Sequence, residues 1–266
     1  MLIVGELINA TRKSVKQMLI DQDAEGIKNL AKQQADNGAD YIDVNAGAFA
    51  SKEAEYLEWL VRNVQEVTDK PCCLDSANGK AIEAGLAVHK GVPMINSISM
   101  DAEQQADLLP VIKGLDCKVI GLCMGDRGRP PETADDRVSV AADLLKVLED
   151  NGLQRDNIYL DPLAQCLSTN DQYGLEFLKG VNRIMTELEG VHTICGLSNI
   201  SYGMPKRKIV NRAFMVMAIF NGLDGAIMNP NDRKMMSNIL AAEALVAKDP
   251  FCEQYCNAYR DGMLEE

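Results

Sequence analysis

A chain of 266 residues with 47% hydrophobic and 25% charged content is long enough for one large core and has the balance of a soluble globular protein. Its formal net charge of -12 repels phosphates over most of the surface, which argues against nucleic acid or an anionic membrane as a partner. The longest apolar stretches are strand-sized and broken by Asp, Asn or Gly, and the opening MLIVGELIN lacks the basic and long apolar regions of a secretory signal, so a cytoplasmic protein is expected.

In chain order, apolar runs alternate with segments of helical spacing. Strands are predicted at Leu2–Leu7, Tyr41–Asn45, Cys72–Asp75, Met94–Ser97, Val119–Met124, Ile158–Asp161, Thr193–Leu197 and Ala226–Asn229. Helices are predicted between and after them, at about 24–37, 53–68, 80–89, 101–115, 133–150, 171–188, 208–221 and 232–247. Gly38 and Gly190 stand where helices end, and Asp101 and Asp171 where helices begin. From Asp249 onward, Phe251, Cys252, Tyr255, Cys256 and Tyr259 form an apolar stripe that predicts an extra helix, packed on the rest or on a subunit neighbour. Eight strand–helix units define an α/β fold, a (β/α)8 TIM barrel, as one domain over residues 1–266.

Every predicted strand ends in a carboxylate or amide. The series is Glu6 and Asn9, Asp43 and Asn45, Asp75 and Asn78, Asn96, Asp126, Asp161, Asn199, and Asn229. In such a barrel these ends converge on one face, where the loops build the active site. Asp75, Asn96 and Asp161 sit in the most apolar surroundings, in CCLDS, PMINS and IYLDP. One such Asp alone is as readily a loop anchor. Two carboxylates and an amide in one mouth suit a flat heterocycle with a donor-rich edge, which a carboxylate accepts bidentately. They suit a divalent cation less well, and no metal site is expected: the only histidines, His89 and His192, stand at no ligand spacing, and the eight cysteines contain no C-x-x-C. Cys72, Cys73, Cys117, Cys123 and Cys195 lie in or beside strands and read as reduced core residues.

GELIN, IDVNAG, CLDSAN, IEAGL, MINSIS, VIGLCM, YLDP, GLSN and NRAF, in that order, resemble the methyltetrahydrofolate:corrinoid protein methyltransferases. These belong to the pterin-binding barrels, with dihydropteroate synthase and the folate module of cobalamin-dependent methionine synthase. The resemblance implies that Asp75, Asn96 and Asp161 hold the pterin edge of methyltetrahydrofolate or tetrahydrofolate, and that Asn199 lies near the methyl-bearing N5. Asp43 and Asn45 would join the same polar network, and Gly196, Ser198, Met124 and Ile227 would shape the cleft. In Lys206-Arg207-Lys208, otherwise a solvated loop, it favours Arg207 at the mouth. Arg127 and Arg129 are a second candidate cationic pair. Asn199 has no titratable proton and is a stabiliser of N5, while Asp75 or Asp161 could relay a proton from solvent. The resemblance also implies a homodimer and a methyl acceptor that is a corrinoid (cobalamin) on a separate protein, since the D-x-H-x-x-G signature of cobalamin domains is absent around both histidines.

Two relatives fit less well. Dihydropteroate synthase needs a loop of the type N-x-T-P-D-S-F-S-D and a terminal R-x-H, whereas the first loop here is NATRKSV and no histidine follows His192. A homocysteine-methylating enzyme needs thiolates placed for zinc. A folate-binding module without catalysis is the remaining alternative.

Overall fold

Eight parallel strands form one sheet in which the first seven pair in sequence order and the first also pairs with the eighth, and the sheet wraps into a TIM barrel. In the computed structural model, which describes residues 1–265, the strands are β1 (Leu2–Asn9), β2 (Tyr41–Asn45), β3 (Cys72–Asp75), β4 (Met94–Ile98), β5 (Lys118–Leu122), β6 (Ile158–Asp161), β7 (His192–Thr193) and β8 (Gly225–Met228). Helices α1 (Lys13–Asp21) and α2 (Ala24–Asp36) follow β1. Then come α3 (Glu53–Gln65), α4 (Gly79–Leu86), α5 (Ala102–Ile112), α6 (Ala134–Asp150), α7 (Tyr173–Glu187), α8 (Arg207–Phe220) and α9 (Arg233–Leu245), one after each later strand, and α10 (Glu253–Arg260) ends the series.

Period two along the strands divides the core. Outward residues such as Ile42, Val44, Leu74, Ile95, Val119 and Leu160 are buried against the helices. Inward residues Val4, Tyr41, Cys73, Met94, Ile120, Tyr159 and Ile194 fill the barrel as an apolar plug. Fully burying each aliphatic side chain contributes about 1.5–3 kcal/mol, so the plug and the outer shell carry most of the barrel's stability. Capping side chains set where several helices start: Asp23 accepts from Gly26 N and Asp101 from Gln104 N, both at 2.9 Å, and Thr133 and Asp136 cap α6 reciprocally.

Four expectations need correction. Helix α1 is absent from the sequence reading because KSVKQMLID buries only Val15 and Leu19, too faint a stripe to read as a helix. The predicted strand Thr193–Leu197 shrinks to His192–Thr193, and Leu197–Ser201 winds into a 3₁₀ turn. The barrel still closes there, since Gly196 bridges Ile227 and Ile227 N donates to Cys195 O at 2.9 Å. Asp171 does not cap α7, whose N-cap is Gln172 with no side-chain bond. The C-terminal stripe does form a helix, but Phe251, Cys252, Tyr255, Cys256 and Tyr259 are exposed and α10 is anchored by Ala258 instead.

Candidate active site

Two residues beyond the apolar plug, the inward positions turn polar. Val4 gives way to Glu6, Tyr41 to Asp43 and Asn45, Cys73 to Asp75, Met94 to Asn96, and Tyr159 to Asp161. Register sets Asn45, Asp75 and Asn96 level, with Asp43 one inward position deeper beside Cys73 and Asp161 one higher beside Leu122. A belt of carboxylates and amides therefore rings the mouth at the strand C-terminal ends.

Within the belt, the hydrogen bonds are mostly to neutral donors. Asn96 Nδ2 donates to Asp43 Oδ1 at 3.3 Å, and the Cys73 thiol also donates to Asp43. Asn45 takes the Gly47 N–H on its Oδ1 at 3.0 Å and donates to Asp75. Asp161 Oδ1 accepts from Leu163 N at 2.8 Å, and the same carboxylate accepts from the Gly196 N–H. No cation pairs directly with Asp43, Asp75 or Asp161 among the described residues.

Burial therefore dominates their acidity. It pushes Asp161 up to about 7 against the pull of its backbone donors. Asp75 is pushed to about 6 by burial, with Glu53 adding repulsion against the Asn45 hydrogen bond. Asp43 is driven well above the carboxylate range by burial and then by the neighbouring Asp75. Glu6 is also raised by burial, although Arg12 reaches it at 2.9 Å and Arg207 adds positive charge. Asp75 and Asp161 therefore change protonation close to neutral pH.

Asn199 stands exposed on the 3₁₀ turn above the belt. Its Nδ2 lies 3.2 Å from where a Cβ on Gly196 would be, so an alanine there would crowd the amide. Arg207, at the start of α8, braces this turn: Nε donates to Ser201 Oγ at 3.0 Å, a terminal nitrogen donates to Ser198 O, and the guanidinium lies 5.7 Å from the Tyr202 ring centre. Ser198, Met124 and Ile227 are half-buried along the mouth.

Other strand-end residues turn away. Asn9 is engaged by Thr11, Asn229 by the Asn231 N–H, and Asp126 is exposed beside Arg127. Arg127 and Arg129 are exposed, Lys208 is 3.5 Å from Asp232, and Lys206 serves as the N-cap of α8. Sequence reasoning missed Glu53. It is buried at the start of α3, accepts from Ser76 Oγ at 2.6 Å and Asn78 Nδ2 at 3.2 Å, and its charge reaches Asp75. A glutamate in a first helical turn passes for a dipole partner, which hid it.

A family profile described as pterin binding enzyme matches residues 5–229, which take in the barrel strands and this belt. This chain belongs to that family. It is 33% identical over 266 residues, 99% of this chain and 98% of the other, to the methylcorrinoid:tetrahydrofolate methyltransferase of Eubacterium limosum. It is 25% identical over 261 residues to the methionine synthase of Mycobacterium tuberculosis, covering 93% of this chain but only 22% of that longer protein. A dihydropteroate synthase from Coxiella burnetii solved with pteroic acid shares the fold, with a TM-score of 0.68, 16% identity and 92% of each chain covered.

Proposed function

We propose that this protein moves a methyl group between N5 of methyltetrahydrofolate and the cobalt of a corrinoid held by a separate protein. The observation that carries the reading is the belt of Asp43, Asp75, Asn96 and Asp161, buried or half-buried on the inward face of successive strands and without a paired cation, beneath an exposed Asn199. Kinship with the methyltransferase of Eubacterium limosum supports the reaction class.

Asp75 and Asp161 accept the 2-amino and N3–H donors of the pterin when ionised, a charge-assisted arrangement stronger than neutral hydrogen bonding. With Nδ2 engaged by Asp43, Asn96 offers its carbonyl oxygen to the same ring. Asp161 is part-protonated near neutrality and Asp75 about one pH unit lower, so binding the donor edge displaces protons within the belt. The corrinoid supplies the cobalt that takes or gives the methyl group. This chain's share is to place the ring and stabilise positive character at N5, through the Asn199 amide and a proton relayed from solvent by the aspartates. Arg207 keeps the Asn199 turn in place and offers positive charge beside the anionic folate tail. On enzyme saturated with methyltetrahydrofolate, transfer slows as pH rises, because N5 must gain that positive character.

A subunit interface fits the cleft between α7, α8 and α9, about 480 Å³ in volume. Leu175, Met217, Phe220 and Leu245 are 50%, 53%, 78% and 83% exposed there and form one apolar patch. We read it as the homodimer contact; Phe220→Lys is expected to give a monomer in sedimentation, and an unchanged dimer would place the contact elsewhere.

The functional reading is tested by methyl transfer with free cob(I)alamin, followed spectroscopically in both directions. Turnover supports it. Pterin binding without turnover leaves a binding module, and condensation of a pterin pyrophosphate with p-aminobenzoate would mark a synthase.

A further inference from the structure

The largest fully buried side chain is charged. Arg137, completely inaccessible, occupies the inner face of α6 in line with Ala141, Leu144, Leu145 and Leu148, where an aliphatic residue would be ordinary. Space is made for it on α7, where a Cβ on Gly180 would fall 2.9 Å from the Arg137 Cδ. One guanidinium nitrogen donates to Glu132 O and Thr133 O, both at 3.0 Å, in the loop before α6. The other donates to Gln165 Oε1 at 2.6 Å, four residues after Asp161, while Nε has no partner. The same loop turns back at Leu163, in the left-handed region with φ 61°, so that its N–H reaches Asp161 Oδ1.

Burying an arginine is costly unless a nearby charge and hydrogen-bond acceptors offset its desolvation. Around Arg137, Glu176 and Tyr173 approach from α7, Asp136 from its own helix, and the Cys123 thiol from the end of β5. Glu176 is occupied elsewhere, accepting from Ala134 N at 2.8 Å and Lys179 Nζ at 2.9 Å. Around Asp161, the thiols of Cys123 and Cys195 are raised by burial and stay neutral, leaving Arg137 as the cation whose field lowers the acid. Cys123 touches both ends of this line: its N–H donates to Asp161 O at 2.9 Å and its thiol feels both charges.

We propose that Arg137 is a positioning residue of the mouth, a buried cation that braces the loop after Asp161 and opposes the burial that protonates the Asp161 carboxyl. The identity of the ligand at the mouth rests on the function proposed above, but the electrostatic claim does not. Removing a buried opposite charge raises a nearby carboxyl. In ligand-free protein, the ¹³C carboxyl titration midpoint of Asp161, assigned by its loss in Asp161→Asn, is expected to move up in Arg137→Met and to stay near wild type in Arg137→Lys. A folded Arg137→Met with an unmoved midpoint overturns the proposal. Should that variant not fold, Gly180→Ala, which pushes the arginine stem aside, must raise the midpoint, and an unchanged value is equally fatal.

Methyltetrahydrofolate binding supplies the functional arm. Arg137→Met is expected to weaken affinity near neutral pH in the wild-type background and to have no further effect in Asp161→Asn. Equal losses in both backgrounds would make Arg137 merely structural. Wild-type protein that fails to bind folate defeats the functional reading, and the carboxyl titration then still decides the role of Arg137.

Discussion

The two ends of the barrel treat their carboxylates in opposite ways. At the strand N-terminal end, Asp224 is fully engaged: Oδ2 meets His192 Nδ1 at 2.6 Å and Oδ1 accepts from Thr193 N at 2.7 Å. His192 stacks on Tyr159 with ring centres 4.6 Å apart, and Lys118 lies 5.1 Å from the same Tyr159 ring. Asp40 accepts from Ile3 N at 2.9 Å, tying the neighbouring strand. At the C-terminal end, Asp43, Asp75 and Asp161 are buried with amide, thiol and backbone donors, and burial raises all three. One end spends its charges on holding strands together, whereas the other keeps acids in a costly state that a bound ligand can relieve.

The sharpest separation should come from the residue above the belt. If Asn199 acts on N5 in the transition state, Asn199→Ala lowers single-turnover methyl transfer by about 10²–10³-fold while leaving folate affinity nearly intact. A full transfer rate would reduce Asn199 to a loop residue. Next in size is the belt itself: Asp75→Ala or Asp161→Ala should each cost roughly 1–3 kcal/mol of methyltetrahydrofolate affinity by calorimetry. At the opposite end, Asp224→Asn should lower thermal stability and leave that affinity alone, so a binding loss there would erase the contrast between the ends.

Protons give a finer test. Asp161 is raised in the folded chain, so its contribution to stability is complete below the unfolded carboxyl value, near 4, and is lost as pH rises through about 7. Replacing it with Asn removes the loss, and Asp161→Asn should be more stable than wild type by roughly 1–3 kcal/mol at pH about 8, with the advantage gone at pH about 4. His192 has the same sign for a different reason. Asp224 raises it, so its stabilisation is complete below the unfolded value and fades as pH climbs through the folded one. His192→Gln should flatten only this smaller slope, as read from melting temperatures across pH.

Much of this geometry was legible in the sequence, because inward and outward residues alternate strictly in YIDVN, CCLD and IYLD. Those strands have the predicted bounds, and Asp43, Asp75 and Asp161 fall on the inward face as a direct consequence of period two. Where two structural tendencies compete, the reading failed. GLSN continues the apolar run of β7 yet bends into a 3₁₀ turn, which lifts Asn199 out of the strand and above the belt. Arg207 adds positive charge at Glu6 of the mouth and also braces the Asn199 turn, a second role that depends on Ser198 and Ser201 as acceptors and that spacing cannot reveal. Arg137 and Glu53 were missed because each occupies an ordinary helical position, and only packing shows that both are buried.

The central claim, that the mouth holds incompletely ionised acids for a donor-bearing ring, has a direct measurement: calorimetry of methyltetrahydrofolate binding between pH about 6 and 8, repeated in buffers of different ionisation enthalpy. Since the ring binds the charged carboxylates, protons should be released on binding near pH about 6.5, affinity should rise with pH, and the release should shrink in Asp161→Asn. Affinity that is flat across this range, with no proton exchanged, would contradict the account.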